Sequence, residues 1–313
     1  MFVTYDEAIN KCDELLNFLQ SINIEPDIKS HLESDYLEAN KFVDDYNKFQ
    51  SYLSETNKNK GREALGGLLE LYKWIWSVKN SKEFSKLHEH LKLLAQCAPR
   101  INAEVPMLSQ ITGKQDDKSN KFIEAIIGMY AVKVGQNVDL DDPINSSGGI
   151  NPDVIFDYFC SRIAIACKTL RGRSKETFLD NLRSAAKQIE RSACDFGYLA
   201  INAMNILPHD KIRDSIYDSL NEPMRILSED IQSVYMDLRQ EASDEVVEIF
   251  QGKKIRPAII TFIHSTTRMN TEFGITSTSF KSTFVTDLCI PEIDITPDIV
   301  FLAGLNEFIH NRL

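Results

Sequence analysis

The spacing of apolar residues changes once along this chain, and that change limits the folds open to it. From Tyr5 to Val134 apolar side chains return about every 3.6 positions, the spacing that gives a helix one buried face. Over Tyr5–Leu19 they are Ala8, Ile9, Cys12, Leu15, Leu16 and Leu19. The same pattern predicts helices over Tyr36–Leu53, Ala64–Trp76, Phe84–Ala95 and Lys121–Val134, with a polar break at Ser54–Gly61 and a loop from Asp139 to Gly149. Beyond that loop, short β-favouring runs appear at Val154–Phe156, Ile163–Ile165, Gly197–Ile201, Pro257–Ile263 and Thr283–Val285. Helices are expected between and after them: one capped by Ser174 and running to about Arg191, one region over about 210–250, and one over Pro297–Ile309. Gly274–Ser279 reads as a polar loop. The expected class is α+β or α/β, a mixed-sheet unit over 113–313 with an all-helical accessory region over 1–112.

Composition narrows the setting. With 43% hydrophobic and 26% charged residues in 313, a folded chain with a real core is expected. No apolar run approaches the roughly 18 residues of a spanning helix, and Met1–Glu7 lacks the basic flank and apolar stretch of a signal peptide. No membrane is therefore expected. Six cysteines, with no CxxC pair, suit reduced thiols in a cytoplasm. A net charge of −11 argues against a surface that coats nucleic acid throughout. His88-Glu89-His90 is spaced too tightly for a zinc helix, and HExxH, phosphate-loop, dinucleotide and nucleophile-elbow patterns are missing from the sequence.

One constellation carries chemistry. Asp153 opens the strand Val154–Phe156, and Lys168 ends the strand that begins near Ile163. A hairpin turning near Cys160 or Ser161 sets Asp153 across from residues 167–169, and alternation puts Ala166 and Lys168 on one sheet face. A carboxylate and an ammonium then meet at one end of the sheet. Asp157 shares the strand face of Asp153 and is readable as a water-facing residue near the turn. Residues 162–191 hold eight Lys and Arg against three acidic residues, inside an acidic chain. Arg171, Arg173, Lys187 and Arg191 are expected to be exposed around the site rather than tied up in separate ion pairs, where with Lys175 they would attract phosphates.

Pro152-Asp153, the tripeptide Ala166-Cys167-Lys168 and the helix carrying Lys187-Gln188-Ile189 resemble the PD-(D/E)xK nuclease superfamily, over roughly residues 118–205. The order helix, acidic strand, lysine strand, basic helix, apolar strand strengthens the resemblance. It implies a restriction-endonuclease-like fold and metal-dependent cleavage of DNA with Mg²⁺ or Mn²⁺, suited to antiviral defence or restriction. It further implies that Asp153 and the residue at 166 bind the metal, that Cys167 lends its carbonyl, and that Lys168 orients the attacking water. Glu124 stands where the family often adds a ligand, and Gln188 where a side chain reaches the site; a solvated charge and a surface glutamine are the alternatives. The RecB-like branch has a tyrosine where Ser192 stands. One departure matters most: Ala166 has no carboxylate. Either it inactivates a working nuclease, or the chain is a natural pseudonuclease that binds nucleic acid or protein. The helical N-terminal region is expected to bind a partner or to self-associate.

Overall fold

The computed structural model describes residues 4–28, 30–49, 55–96, 121–143, 150–213, 215–272, 274–288 and 299–310. Thr4 starts helix α1 (Tyr5–Ser21) with a capping box: its hydroxyl accepts the Glu7 N–H, and the Glu7 carboxylate accepts the Thr4 N–H. Helices α2 (His31–Phe49), α3 (Glu55–Val78) and α4 (His88–Leu94, after a 3₁₀ turn at Phe84–Leu87) complete the N-terminal set. The expected polar break at Ser54–Gly61 is helical from Glu55 onward. Its residues are polar but include no proline, so nothing in the backbone stops the helix. Gly61 serves a close approach, since a Cβ there would run into the Phe42 side chain of α2.

Helix α5 (Phe122–Val134) is buried from Phe122 through Val132. A helix apolar on every side has to lie inside a protein, and α5 packs on α3, on strands β1 (Gln136–Leu140) and β2 (Val154–Tyr158), and on the C-terminal helix α10 (Ile299–Ile309). Strand β1 corrects the loop expected from Asp139. Its five residues QNVDL show no apolar run, yet Asp139 and Leu140 pair with Ile155 and Val154. The boundary expected at 112/113 lies outside the described residues, as do residues 144–149.

The mixed sheet continues through β3 (Ser161–Thr169), antiparallel to β2, and β4 (Phe196–Asn202), parallel to β3, with α6 (Lys175–Arg191) crossing between them. Ser174 caps α6 as expected, accepting the Thr177 N–H at 3.2 Å. Next come a short helix α7 (Asp210–Arg213) and the two-residue strand β5 (Ile216–Tyr217), which breaks the helical stretch expected over 210–250. Helices α8 (Asn221–Glu241) and α9 (Ser243–Phe250) follow. The strands expected at Pro257–Ile263 and Thr283–Val285 are the middles of β6 (Ile255–Thr271) and β7 (Gly274–Asp287), a long hairpin that absorbs the expected loop 274–279. Its threonines and serines read as loop by polarity, but β-branched residues sit well on a pleated strand. The described strands run in the order β1-β2-β3-β4-β6-β5, with β7 pairing β6.

Two apolar layers cover the sheet. Val154, Phe156, Ile163, Ile165, Ile260 and Phe262 face α5, α10 and the N-terminal helices, which share a single core cluster with them. Ala164, Ala166, Leu199, Ile259 and Ile263 face α6, α8 and α9. Among the described residues no helix is long and apolar enough to cross a membrane.

Candidate active site

The site lies where β2 begins and β3 ends. The chain reverses through only Phe159 and Cys160, with Tyr158 facing Ser161 and Phe159 in the left-handed region at φ 51°. So tight a turn pairs Val154 with Ile165, and the ladder continues through the Asp153 N–H to the Ile165 carbonyl at 3.1 Å. The ladder is thus one residue off the expected register, while Asp153, just ahead of β2, still reaches Cys167 through its carboxylate. The displacement is small, and Asp153, Ala166 and Lys168 still share one end of the sheet. Ala166 and Lys168 alternate onto one face of β3, the side of α6.

The Asp153 carboxylate is buried, and its Oδ2 accepts the Cys167 N–H at 2.6 Å. Burial raises its carboxyl above the ordinary value, while Lys168, the Cys167 N–H and Lys121 pull the other way. Lys168 donates from Nζ to Gln188 Oε1 at 2.7 Å, and Gln188 Nε2 donates to the Asn151 carbonyl at 2.8 Å. Gln188, 2% exposed, thus ties α6 to both strand ends and holds the lysine in one place. It is no surface glutamine.

Glu124 comes from α5, on the other side of the sheet, and it is no solvated charge either. It is 7% exposed, and Lys121 Nζ donates to Oε2 at 3.1 Å and Oε1 at 3.3 Å. Burial, then the charge of Asp153, raises its carboxyl against the pull of Lys121 and Lys168. Lys121 was missed in the sequence, although a lysine three residues before a glutamate on one helix face is a readable pair. His90 of α4 is buried with both ring nitrogens unpartnered among the described residues; burial, then the charge of Lys121, holds its imidazole down at about 4. The Cys167 side chain faces the opposite layer, where burial pushes the thiol well above its ordinary value. Asp157 stays out of the site: at the turn end of the hairpin it accepts from Arg162 Nη1 at 2.6 Å and Asn137 Nδ2 at 2.5 Å.

Two carboxylates, Glu124 and Asp153, offer hard oxygens of the kind Mg²⁺ and Mn²⁺ favour. Ala166 is fully buried against the α6 layer and adds no oxygen, so the donor set suits a hard cation but is one carboxylate short. Among the described residues no group of three or more His, Cys, Asp or Glu side chains is disposed to hold a metal.

The basic residues are less free than their run in the sequence implies. Arg173 is committed to the Ile206 carbonyl and to Asp230 of α8, which corrects its expected place as an unpaired phosphate contact. Lys175 shares a groove of about 240 Å³ with Arg173, Asp237 and Glu241. Lys187 and Arg191 are exposed on the outer side of α6 in a groove of about 400 Å³ shared with Glu245 and Glu248. Neither groove is lined by Glu124, Asp153, Lys168 or Gln188. Arg171 is exposed on the loop after β3. The positive excess in the sequence is met in space by acids from α8 and α9. No protein-family model, curated protein or solved structure matches the chain.

Proposed function

We propose that this chain carries a metal-dependent nuclease site of the PD-(D/E)xK kind, directed at the phosphodiester backbone of DNA and left one ligand short by Ala166. The observation that carries the reading is that Asp153, bonded to Cys167, and Lys168, fixed by Gln188, lie at one strand end, with the charge of Asp153 felt by the buried Glu124 of α5. The order α5, β2, β3, α6, β4 is the order on which the resemblance rests, with β1 inserted ahead of the acidic strand.

Glu124, Asp153 and the Cys167 carbonyl would hold the Mg²⁺ or Mn²⁺, which when bound supplies Lewis-acid charge beside a phosphoryl oxygen. The protein groups do the rest. Lys168, fixed by Gln188, presents its ammonium where it can orient a water toward phosphorus and balance charge that develops on the phosphate. Gln188 anchored on Asn151 denies that lysine other rotamers, and a fixed donor needs no rearrangement during reaction. Arg171, Lys187 and Arg191 add backbone attraction from the loop after β3 and from the outer side of α6. A role in antiviral defence or restriction fits such an activity.

Ala166 favours a second reading, a nucleic-acid-binding subunit with a silent site. The test is Ala166→Glu with Mg²⁺ or Mn²⁺ and linear or supercoiled DNA. The nuclease reading expects little or no cutting by the chain as it stands and metal-dependent nicking by Ala166→Glu. Lys168→Ala in that background should then lower the rate about 100-fold or more. An inert Ala166→Glu that still binds DNA favours the silent subunit.

A further inference from the structure

We propose that Lys121 is a built-in counter-ion of this site, holding with its ammonium the charge that a divalent cation would otherwise supply, so that cation entry requires Lys121 to withdraw. The inference rests on the metal-site reading above and adds to it a residue that governs occupancy.

Local helix chemistry does not explain a lysine here. Lys121 is the residue just before α5, and its side chain caps nothing. A helix N-terminus favours acceptors and negative charge, so an ammonium there works against both capping and the dipole. The side chain runs forward along the first turn to both oxygens of Glu124. The pair is also unlike the other one-turn pairs on described helices. Side-chain exposure is 22% for Lys121 and 9% for Glu124, against 42% and 40% for Lys92–Glu89 and 59% and 58% for Arg225–Glu229. Exposed pairs of that sort hold their partners weakly. A desolvated carboxylate cannot do without compensation.

The charges around Lys121 point the same way. Burial works against its ammonium, yet Glu124, with Asp153 and Asp141 behind it, outweighs that and raises it. Two buried carboxyls, Glu124 and Asp153, with Asp141 behind them, thus face two lysines, Lys121 and Lys168. A carboxylate at 166 would add one more negative charge, which a cation could offset. Lys168 bonds the neutral Gln188, whereas the Lys121 ammonium bonds both oxygens of Glu124, so Lys121 is the lysine that a cation taking Glu124 as a ligand would displace.

Mn²⁺ titration followed by the loss of the free-ion EPR signal tests this without any activity. The full chain, Lys121→Met, Lys121→Arg, Ala166→Glu and Lys121→Met with Asp153→Asn are compared, each with its urea midpoint recorded. Lys121→Met should bind Mn²⁺ at least tenfold more tightly than the parent, Lys121→Arg should stay as weak as the parent, and Asp153→Asn should abolish the gain. Should Lys121→Met not fold, Lys121→Gln keeps a neutral partner for Glu124 and should show the same tightening. If the folded neutral variants bind no better than the parent while Ala166→Glu does, the counter-ion role is wrong and the metal site stands. If Ala166→Glu and the neutral Lys121 variants all fail to bind Mn²⁺, the metal-site reading itself falls, and the counter-ion with it.

Discussion

The two ends of the β2–β3 hairpin each carry an aspartate and a basic residue and put them to different uses. At the turn end Asp157 meets Arg162 at 2.6 Å, with both side chains about a third exposed, and Asn137 donates to the same carboxylate. At the open end Asp153 is buried and its Oδ2 accepts the Cys167 N–H, while Lys168 bonds Gln188 nearby. Strand alternation puts both aspartates on the same side of the sheet. What separates them is water. Hydrogen bonds from Asn137 and Arg162 lower the Asp157 carboxyl, whereas burial raises that of Asp153. The lesson is that a charged pair becomes a candidate reaction site through what covers it, here α5 and α6.

The comparison can be broken most sharply through stability. Asp153→Ala leaves the buried Cys167 N–H without its acceptor and should cost about 1–3 kcal/mol, the loss typical of an unsatisfied buried donor. Asp157→Ala should cost about 0–1 kcal/mol, as for exposed ion pairs. Urea unfolding of both variants decides it, and equal losses would mean that the two ends do not differ as described.

A smaller effect sharpens the same contrast through pH. In metal-free protein, carboxyl NMR titration should find Asp157 below 3.8 and Asp153 above it. The signs then oppose. The stabilisation from Asp157 is present above its unfolded pKa and is lost as pH falls through the depressed folded value. The contribution of Asp153 is full below its unfolded pKa and is lost as pH rises through the raised folded value. The penalty of Asp157→Asn should therefore shrink on acidification, and the penalty of Asp153→Asn should shrink as pH rises; both are read from urea midpoints at several pH values.

The smallest effect concerns the outer side of α6. Replacing Lys187 and Arg191 with Ala should reduce the salt dependence of DNA binding by up to roughly 0.9 in log–log slope per lost phosphate contact, with little change in stability. Arg173→Ala should behave differently, lowering stability through its bonds to Ile206 and Asp230. An unchanged slope in the Lys187/Arg191 variant would remove that surface from the DNA path.

Much of this was legible before any coordinates. Ser174, Phe178, Leu182 and Ile189 announce α6 through a cap and a stripe, both local properties of the chain. Val154–Phe156 and Ile163–Ile165 announce a hairpin in the same way. The elements that escaped were those held by distant partners: β1, whose sequence lacks an apolar run, the outer reaches of β6 and β7, and the first turns of α3. Among the site residues, Asp153 and Lys168 stood out because the hairpin register relates them directly, while Lys121 could not be assigned a role until burial was known.

The sequence by itself determined the succession of helices and strands, the pairing of β2 with β3 to within a few residues, and the meeting of an aspartate with a lysine at one strand end. These follow from periodicity, capping and turn length, which act over a few residues. Only the tertiary structure decided which charges lose their water. Glu124 and Gln188 look like surface side chains until α5 and α6 close on the sheet, and Arg173 looks like a free cation until α8 brings Asp230 to it. Solvation depends on every neighbour at once, and those neighbours lie scores of residues apart in the chain.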